Sequence, residues 1–304
     1  MAESVDVAVR AEHAGWRCEQ RLAEALDGLS RKDAIALLRR RCVRLIDGER
    51  VRLARKGERL VPGQRLQVVV ADLEPKPDPL LPLDVVFESA DLIVINKPAG
   101  VPSVPVGIGE LGSIANACLA RYPEMQGVGY RRREPGLCHR LDTHTSGLLL
   151  AARNRRSFDL LQRAIQTGAI DKRYIAICHD HGLAERGSVD RALRHRPKAV
   201  EVVAAKVGNS TRYKVLKRHE GLALVEVQAA AAFRHQVRAH MAWLGAPLLG
   251  DTLYGAPEHP LGHHALHASQ LAWRSAELDL AFRCEAPLPP ALSRLVEPPN
   301  DRGA

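Results

Sequence analysis

The sequence contains no apolar run that approaches the length of a membrane-spanning segment, since about 20 consecutive apolar residues are needed to cross a bilayer as a helix. The N-terminus carries acids at Glu3 and Asp6 and has no apolar core long enough for a signal peptide. We therefore expect a soluble, cytoplasmic protein without a membrane partner.

Cysteine is sparse, and its spacing excludes two kinds of site. The six cysteines are scattered along the chain without a CxxC pair, and several of them lie in apolar runs. This pattern is typical of reduced thiols in a core, and not of a disulfide framework or a zinc site. The sequence also lacks a glycine-rich phosphate loop and a Ser–His–Asp order. We expect a reducing compartment.

Four histidines cluster near the C-terminus, at His259, His263, His264 and His267. The spacing of His263 and His267 would place both on one face of a helix, where two imidazoles can hold a metal ion. No cysteine and no spaced set of acids accompanies them, as a zinc site usually requires. The sequence therefore predicts no metal site.

Positive charge is concentrated in one stretch near the N-terminus. The 304-residue chain has a net charge of +9, and residues 31–65 alone hold twelve Lys or Arg against four acids. An ordinary solvated surface mixes the two signs, whereas an excess of one sign is typical of a surface that binds phosphate. The stretch therefore predicts a phosphate-binding surface.

The same stretch has the pattern of a small α/β unit. Ser30 before residues 31–41, with Asp33 three positions later, predicts a helix with a capping box. An Asp–Gly turn at residues 47–48 predicts a β-hairpin, and residues 65–70 predict a further strand. Beyond it, four prolines within residues 72–84 exclude a helix and favour a stiff, extended linker.

The linker predicts a boundary between two domains. The first domain comprises residues 14–71, the linker residues 72–84, and the second, larger domain residues 85–296. A chain of 304 residues, 46% of them hydrophobic, is long enough to form both.

Residues 137–150, LCHRLDTHTSGLLL, place one carboxylate where a polar loop enters a buried strand. Loops carried by rigid strands often hold catalytic groups, which would make Asp142 a candidate. The alternative is that Asp142 only caps the turn through Thr145 and Ser146. Local chemistry leaves both interpretations open.

The same residues resemble the catalytic motif of the RluA family of RNA pseudouridine synthases. The match comprises nine residues at fixed spacing, at positions 139–142 and 145–149. The resemblance implies that Asp142 is the essential aspartate and that Arg140 takes the place of the flipped nucleotide.

Two further segments resemble family motifs. The Asn-Lys-Pro-x-Gly turn at residues 96–100 is one, although Lys97 on such a turn is by default solvated. The Lys-x-Tyr pattern that ends at Tyr174 is the other. A tyrosine that opens a strand is by default a packing residue, whereas the resemblance implies that Tyr174 packs on the target base and takes part in proton transfer at its C5.

The segment around Arg238 resembles the third family motif, Gly-Arg-x-His-Gln-[Ile/Leu/Val]-Arg-x-His. The match is partial, because Ala232 and Phe233 stand where glycine and arginine are usual, and Arg234 lies one position away. Arg238 is predicted to pair with Asp142, since a nearby guanidinium favours the ionised form of a buried carboxylate.

The N-terminal unit resembles the small S4-like RNA-binding domain that many RluA-type enzymes carry at this end. The resemblance implies that its basic side chains hold RNA together with two residues beside the candidate aspartate. The predicted RNA-binding residues are Arg31, Lys32, Arg39, Arg40, Arg44, Arg52, His139 and Arg140.

The resemblance implies an α+β protein, with a mixed, mainly antiparallel sheet in the pseudouridine synthase catalytic domain and a small S4-like α/β domain in front. The implied activity is isomerisation of uridine to pseudouridine in structured RNA, ribosomal or transfer. The implied catalytic residues are Asp142, Tyr174 and Arg238. No atom except one C5 proton is lost, so the reaction requires no cofactor or metal. We expect the protein to be a monomer.

Two alternatives remain. The first is an RNA-binding or ribosome-assembly factor that keeps the fold without the activity, which the altered Ala232 and Phe233 favour. The second is a glycoside-cleaving enzyme, although such an enzyme usually needs a second acid and none stands beside Asp142 or Tyr174 in the sequence.

Overall fold

The computed structural model describes residues 4–26, 29–69, 73–204, 210–229 and 233–296. Its contacts divide the chain into two compact units. The first consists of Met1–Leu81 and Val104–Pro135, and the second of Pro82–Ser103 and Gly136–Ala304. This division groups residues 104–135 with the first unit and splits residues 72–84 between the two units after Leu81, whereas the sequence predicts residues 104–135 in the second domain and residues 72–84 as a linker.

The first unit contains a four-stranded antiparallel sheet and three α-helices among its described residues. Its elements are β1 (Ser4–Ala8), α1 (Cys18–Ala25), α2 (Arg31–Arg39), β2 (Val43–Asp47), β3 (Arg50–Leu53), β4 (Arg65–Val69) and α3 (Ile114–Arg121). The strand order is β1-β4-β2-β3. Leu22, Leu37, Leu45 and Leu66 form part of the core, each at most 1% exposed.

The predicted capping box of α2 is confirmed. The Ser30 hydroxyl accepts from the Asp33 amide at 3.2 Å, and the Asp33 carboxylate accepts from the Ser30 amide at 3.1 Å. The predicted hairpin is also present, with its turn one residue later than expected. Asp47 pairs with Arg50, so the turn residues are Gly48 and Glu49, and Gly48 supplies the positive φ of 57°.

The second unit is built on a nine-stranded sheet among its described residues, with a separate two-stranded hairpin. Its elements are β5 (Val85–Glu88), β6 (Leu92–Lys97), β7 (Ser146–Ala152), α4 (Arg155–Gln166), β8 (Asp171–His179), β9 (Arg186–Asp190), β10 (Ala192–His195), β11 (Val200–Val203), β12 (Ser210–His219), β13 (Leu222–Ala229), α5 (Gln236–Trp243), β14 (Leu266–Ser275), β15 (Leu280–Glu285) and α6 (Pro290–Ser293).

The large sheet is mainly antiparallel, as predicted. Its order is β5-β6-β7-β14-β8-β13-β12-β9, with β15 on β14, and the pairing of β7 with β14 is parallel. The hairpin consists of β10 and β11. Every residue of β7 is buried, which explains its continuous apolar sequence, because a central strand is covered on both faces. Helix α5 packs on β12 and β13 through Val237 and Met241.

Asn154 caps α4, because its side chain accepts from the Ser157 amide at 2.9 Å. His263 and His267 do not share a helix, since His267 lies in β14. Near the C-terminus, Leu292 and Val296 are buried in an apolar cluster.

Within the described residues, no helix is both long and apolar enough to cross a membrane.

Candidate active site

Asp142 lies on the loop that enters β7, and a buried lysine fixes this loop. Lys97, at the end of β6, is 0% exposed. Its Nζ donates to the carbonyls of Pro98 at 2.9 Å, Val101 at 2.6 Å and Thr143 at 2.9 Å. The expectation that Lys97 is solvated is therefore wrong. Burial lowers the pKa of Lys97 to about 7, against the attraction of Asp142.

A second set of polar contacts holds the same loop. The Ser103 hydroxyl donates to the Leu141 carbonyl at 2.8 Å and accepts from the Leu141 amide at 3.0 Å. The hydroxyl of Thr145 lies 2.9 Å from His264 Nε2, and that of Ser146 lies 2.8 Å from His267 Nδ1. These hydroxyls thus bond to histidines, and the turn itself is closed by the Thr145 amide, which donates to the main-chain carbonyl of Asp142 at 3.0 Å.

Gly147 is required where the loop becomes β7. Its φ is +104°, and a Cβ atom there would lie 2.2 Å from the carbonyl oxygen of Ala268 on β14. The parallel pairing of Gly147 with Ala268 therefore depends on the absence of a side chain. This close approach accounts for a glycine directly after Ser146.

The predicted pair of Asp142 with Arg238 is present. Arg238 Nη1 donates to Asp142 Oδ2 at 2.8 Å. The other two nitrogens of the same guanidinium donate to Asp251, Nε to Oδ2 and Nη2 to Oδ1, both at 2.7 Å. The side chains of Arg238 and Asp251 are 8% and 1% exposed, whereas that of Asp142 is 24% exposed. Asp251 thus anchors a buried guanidinium that presents one nitrogen to a partly accessible carboxylate.

His235 approaches the second oxygen of Asp142. Its Nε2 lies 3.6 Å from Asp142 Oδ1, and its Nδ1 lies 3.0 Å from the Tyr254 hydroxyl. That hydroxyl accepts from the Val200 amide at 2.8 Å, which leaves its own proton available to Nδ1. When Tyr254 donates to Nδ1, the proton of the neutral imidazole is on Nε2, facing the carboxylate. His235 adopts a left-handed backbone, φ 55°, which costs on the order of 1 kcal/mol.

The electrostatic balance keeps Asp142 ionised. Burial acts to raise its pKa, but His235, Arg238 and His264 outweigh burial, so that the pKa lies below its ordinary 3.8. Burial lowers the pKa of His235 below its ordinary range and that of His264 to about 3, so both rings are neutral at neutral pH. The guanidinium of Arg238 is therefore the charge that favours the carboxylate.

Tyr174 lies on β8, between Val227 of β13 and Ala268 of β14. It is half-buried and packs against the apolar cluster under α5. Burial, and then the charge of Asp142, raise the pKa of Tyr174 to about 12. The hydroxyl therefore keeps its proton at neutral pH.

The two predicted RNA-binding residues beside Asp142 have different surroundings. Arg140 is exposed. His139 is 7% exposed, and its Nε2 accepts from the Leu150 amide at 3.2 Å. The geometry of His139 favours a structural role in joining the loop to β7.

The predicted RNA-binding residues of the first unit are exposed. Arg31 lies 3.8 Å from Glu19, Arg52 pairs with Glu58, and Arg40 donates to the Ile108 carbonyl at 3.0 Å. A groove of about 420 Å³ lies between the end of α2 and the strand β3. Its cationic lining residues are Arg39, Arg41, Arg52, Arg55 and Lys56.

Asp251, His235 and Tyr254 are site residues that the sequence did not single out. Asp251 and Tyr254 lie outside the third family motif, beyond its C-terminal end, and nothing local to them in the sequence indicates a contact with Arg238. Asp251 is the second acid near Asp142, but its oxygens both accept from Arg238. Its burial weakens the glycosidase alternative, because the second carboxylate of a glycosidase must reach substrate or water.

The altered third motif is described in part. Ala232 lies outside the described residues. Phe233 is 40% exposed, and the Arg234 side chain donates to the Lys198 carbonyl at 3.1 Å. Neither residue interrupts the contact of Arg238 with Asp142.

Comparison with known proteins gives consistent matches. The model of the family described as RNA pseudouridylate synthase matches residues 91–243. An uncharacterized RNA pseudouridine synthase of Bacillus subtilis (strain 168) is 34% identical over 223 residues, 72% of this chain and 77% of that protein. Ribosomal large subunit pseudouridine synthase D of Haemophilus ducreyi is 29% identical over 95% of this chain and 92% of its own length.

A solved structure is also similar. Human RNA pseudouridylate synthase domain containing 4 has 26% sequence identity and a TM-score of 0.54, over 69% of this chain and 90% of its own. The family match at residues 91–243 includes the Lys97 turn, the Asp142 loop and the helix that carries Arg238. Since sequence, fold and the order of these segments agree, this chain belongs to the RluA family of RNA pseudouridine synthases, isomerases that convert uridine in RNA to pseudouridine.

Proposed function

We propose that Asp142 is the catalytic carboxylate of this pseudouridine synthase and that Arg238 keeps it ionised. The observation that carries the proposal is the 2.8 Å hydrogen bond from Arg238 Nη1 to Asp142 Oδ2, made by a guanidinium whose other nitrogens are held by the buried Asp251. The carboxylate is thus charged, fixed and still 24% exposed, which is what a group that must meet a substrate requires.

The isomerisation is balanced without any other reactant. The bond between C1′ and N1 of uridine breaks, the uracil rotates, and a bond forms between C1′ and C5. C5 then loses its proton and N1 gains one. Asp142 acts on the sugar or on the base as nucleophile or base, and in both roles it must be ionised when the uridine binds.

Tyr174 and Arg140 have supporting roles in this proposal. Tyr174 packs on the uracil. Because its pKa is raised to about 12, it accepts the C5 proton only by passing its own to a neighbour, and Asp142 is a carboxylate near enough to influence it. Arg140 is exposed next to Asp142 and fills the space that the flipped base leaves. Unstacking a base costs a few kcal/mol, and these two contacts offset that cost.

Ribosomal RNA is the proposed substrate. Relatives from Neisseria meningitidis and Haemophilus ducreyi, which are 28% and 29% identical over 96% and 95% of this chain, are named as acting on the large ribosomal subunit. The exposed cations of the first unit, which resembles an S4-like domain, then bind the RNA phosphates. Pseudouridine mapping in ribosomal and transfer RNA from cells with and without this gene tests the choice. If the pseudouridine missing from cells without the gene lies in transfer RNA alone, the choice of ribosomal RNA is contradicted.

Release of tritium from RNA labelled at uridine C5 tests the role of Asp142. Wild-type protein is expected to release tritium, and Asp142→Asn to release none above background, because the amide carries no charge. Asp159→Asn, on the exposed face of α4, is the matched control and keeps full activity. Tritium release by Asp142→Asn at the wild-type rate contradicts the proposal. Binding of RNA without any release by wild type instead indicates the catalytically impaired factor.

A further inference from the structure

The hairpin formed by β10 and β11 contacts the same loop that carries His235. The Val200 amide on β11 donates to the Tyr254 hydroxyl at 2.8 Å, and Tyr254 in turn contacts His235. Arg234 donates to the carbonyl of Lys198 at the hairpin turn, at 3.1 Å. The hairpin is therefore fixed next to the candidate active site.

Two aromatic rings lie on this surface. The rings of His195 on β10 and Phe233 are 6.0 Å apart, centroid to centroid, with an angle of 20° between their planes. Both residues are exposed, Phe233 by 40%. An exposed phenylalanine ring outside the apolar clusters gains little by burial in the free protein. Phe233 also occupies the position where the family motif that this segment resembles has arginine.

Basic residues lie close in the chain to the two rings. Four exposed basic side chains belong to the hairpin and to the adjoining loop: Arg194, Arg196, Lys198 and Arg234. Arg196 pairs with Glu201 at 2.6 Å, whereas the described part of the chain offers no ion pair to the other three. Exposed aromatic rings among unneutralised cations are the combination that binds unpaired nucleic acid, since bases stack on the rings and phosphates meet the cations.

The position of the rings relative to Asp142 restricts which base they can meet. Phe233 is two residues before His235, so their Cα atoms are at most about 7 Å apart, and His235 Nε2 is 3.6 Å from Asp142 Oδ1. A base on Phe233 is therefore close in the strand to the uridine at Asp142.

We propose that Phe233 and His195 form a stacking platform for an unpaired base that neighbours the target uridine, while the cations of the β10–β11 hairpin bind the adjoining phosphates. The proposal rests on the RNA substrate established above and adds a residue that selects its local sequence and structure. Stacking requires an unpaired neighbour, so the platform favours targets in loops or bulges over targets flanked by paired bases.

Binding of a fluorescent ten-residue oligouridylate tests the platform without any need for turnover. Phe233→Ala is expected to weaken this binding about 10-fold, because stacking on one aromatic ring commonly changes affinity by that order. Binding of an inorganic polyphosphate of similar charge, which has no bases, is expected to stay unchanged. The exposed Leu216→Ala on β12 is the matched control and alters neither affinity.

A second variant separates stacking from a loss of folding. Phe233→Trp keeps a ring at this position, and its fluorescence is expected to be quenched by oligouridylate but not by polyphosphate. Leu216→Trp is expected to show no quenching. The same binding measurements are repeated in an Asp142→Asn background. Because they need no turnover, a failure of the catalytic proposal does not affect their result.

In the tritium assay, Phe233→Ala is expected to raise KM for RNA about 10-fold and to leave kcat within about twofold. Unchanged oligouridylate affinity in Phe233→Ala, or equal losses for oligouridylate and polyphosphate, overturns the platform. Absence of quenching by oligouridylate in Phe233→Trp also overturns the platform. If the fluorescence of that tryptophan changes on addition of a protein partner and not of oligouridylate, the surface is a protein interface.

Discussion

At the scale of single residues, the candidate site depends on how one guanidinium is shared. Arg238 uses two nitrogens on Asp251 and one on Asp142. A lysine could not make these directed hydrogen bonds to two carboxylates at once, since its ammonium is a point charge without fixed directions. The buried acid therefore sets the direction of the arginine, and the arginine sets the charge of the catalytic candidate.

Replacement of Arg238 by glutamine is expected to lower kcat at least 100-fold and to shift the acid limb of the pH–rate profile upward. The pKa of Asp142 lies below its ordinary 3.8, so wild-type activity falls only at strongly acidic pH. Without the guanidinium, burial dominates and the pKa rises. The residual activity of Arg238→Gln, measured between pH 4 and pH 8, gives the pH at which the acid limb falls. A limb at the wild-type position contradicts the assignment.

The same pKa shift has a consequence for stability. Because the pKa of folded Asp142 lies below that of the unfolded chain, the Asp142–Arg238 pair stabilises the fold above the ordinary 3.8. That contribution is lost as the pH falls through the lower, folded pKa.

His235 and Tyr254 are expected to act as one positioning unit for Asp142. His235→Gln and Tyr254→Phe should each lower kcat about 10-fold with little change in KM, because either removes the 3.0 Å contact between the ring and the hydroxyl. Their combination should cost no more than either alone, since coupled residues are not additive. Kinetic measurement of the double-mutant cycle checks this, with the exposed His181→Gln as control. Multiplied losses would indicate two independent roles.

At the scale of secondary structure, the end of β6 supports the loop that carries Asp142. Lys97 gives one donor to each of three carbonyls, and Gly147 lets β7 pair with β14. Neither residue contacts the substrate in the proposed reaction. Both are needed because the loop that carries Asp142 contains few apolar side chains to hold it.

Lys97→Met keeps the length of the side chain and removes its three hydrogen bonds. We expect it to lower the free energy of unfolding by about 2 to 4 kcal/mol, because buried carbonyls are left without donors. Urea denaturation measures the change. The exposed Lys217→Met on β12 is the control, with an expected change within about 0.5 kcal/mol. Equal stabilities of the two variants would show that Lys97 does not fix the loop.

Gly147→Ala is expected to destabilise the protein by on the order of 3 kcal/mol or more, through the contact of its Cβ with the Ala268 carbonyl and through the positive φ. Gly182→Ala is the matched control. Its φ is +87° and a Cβ there meets nothing within 4 Å, so backbone strain of about 1 kcal/mol remains. Similar losses of unfolding free energy in both variants would exclude the close approach as the cause.

The sequence predicted those parts of the site that are local in the chain. The Ser30 cap and the loop before β7 follow from neighbouring residues, and the family motif brought Arg238 to Asp142. Burial and pairing between distant residues were missed. Lys97 was expected in solvent because its sequence is that of a turn. Asp251 was missed because the residue that it anchors lies on another element.

At the scale of the whole molecule, the distribution of charge matters more than its sum. The cations of the groove beside α2 and β3 are the proposed sites of phosphate binding. RNA affinity should therefore fall steeply with salt. Replacement of Arg41 and Lys56 by glutamine should reduce the slope of log affinity against log salt by up to about 1 for each residue, with Arg283→Gln on β15 as control. An unchanged slope places the RNA elsewhere.

The chain passes between the two units three times, after Leu81, Ser103 and Pro135. Neither unit is therefore a continuous length of polypeptide. During synthesis, the N-terminal unit is complete only after residue 135 has left the ribosome. A single recombination event cannot transplant it into another enzyme, and a single protease cut cannot release it.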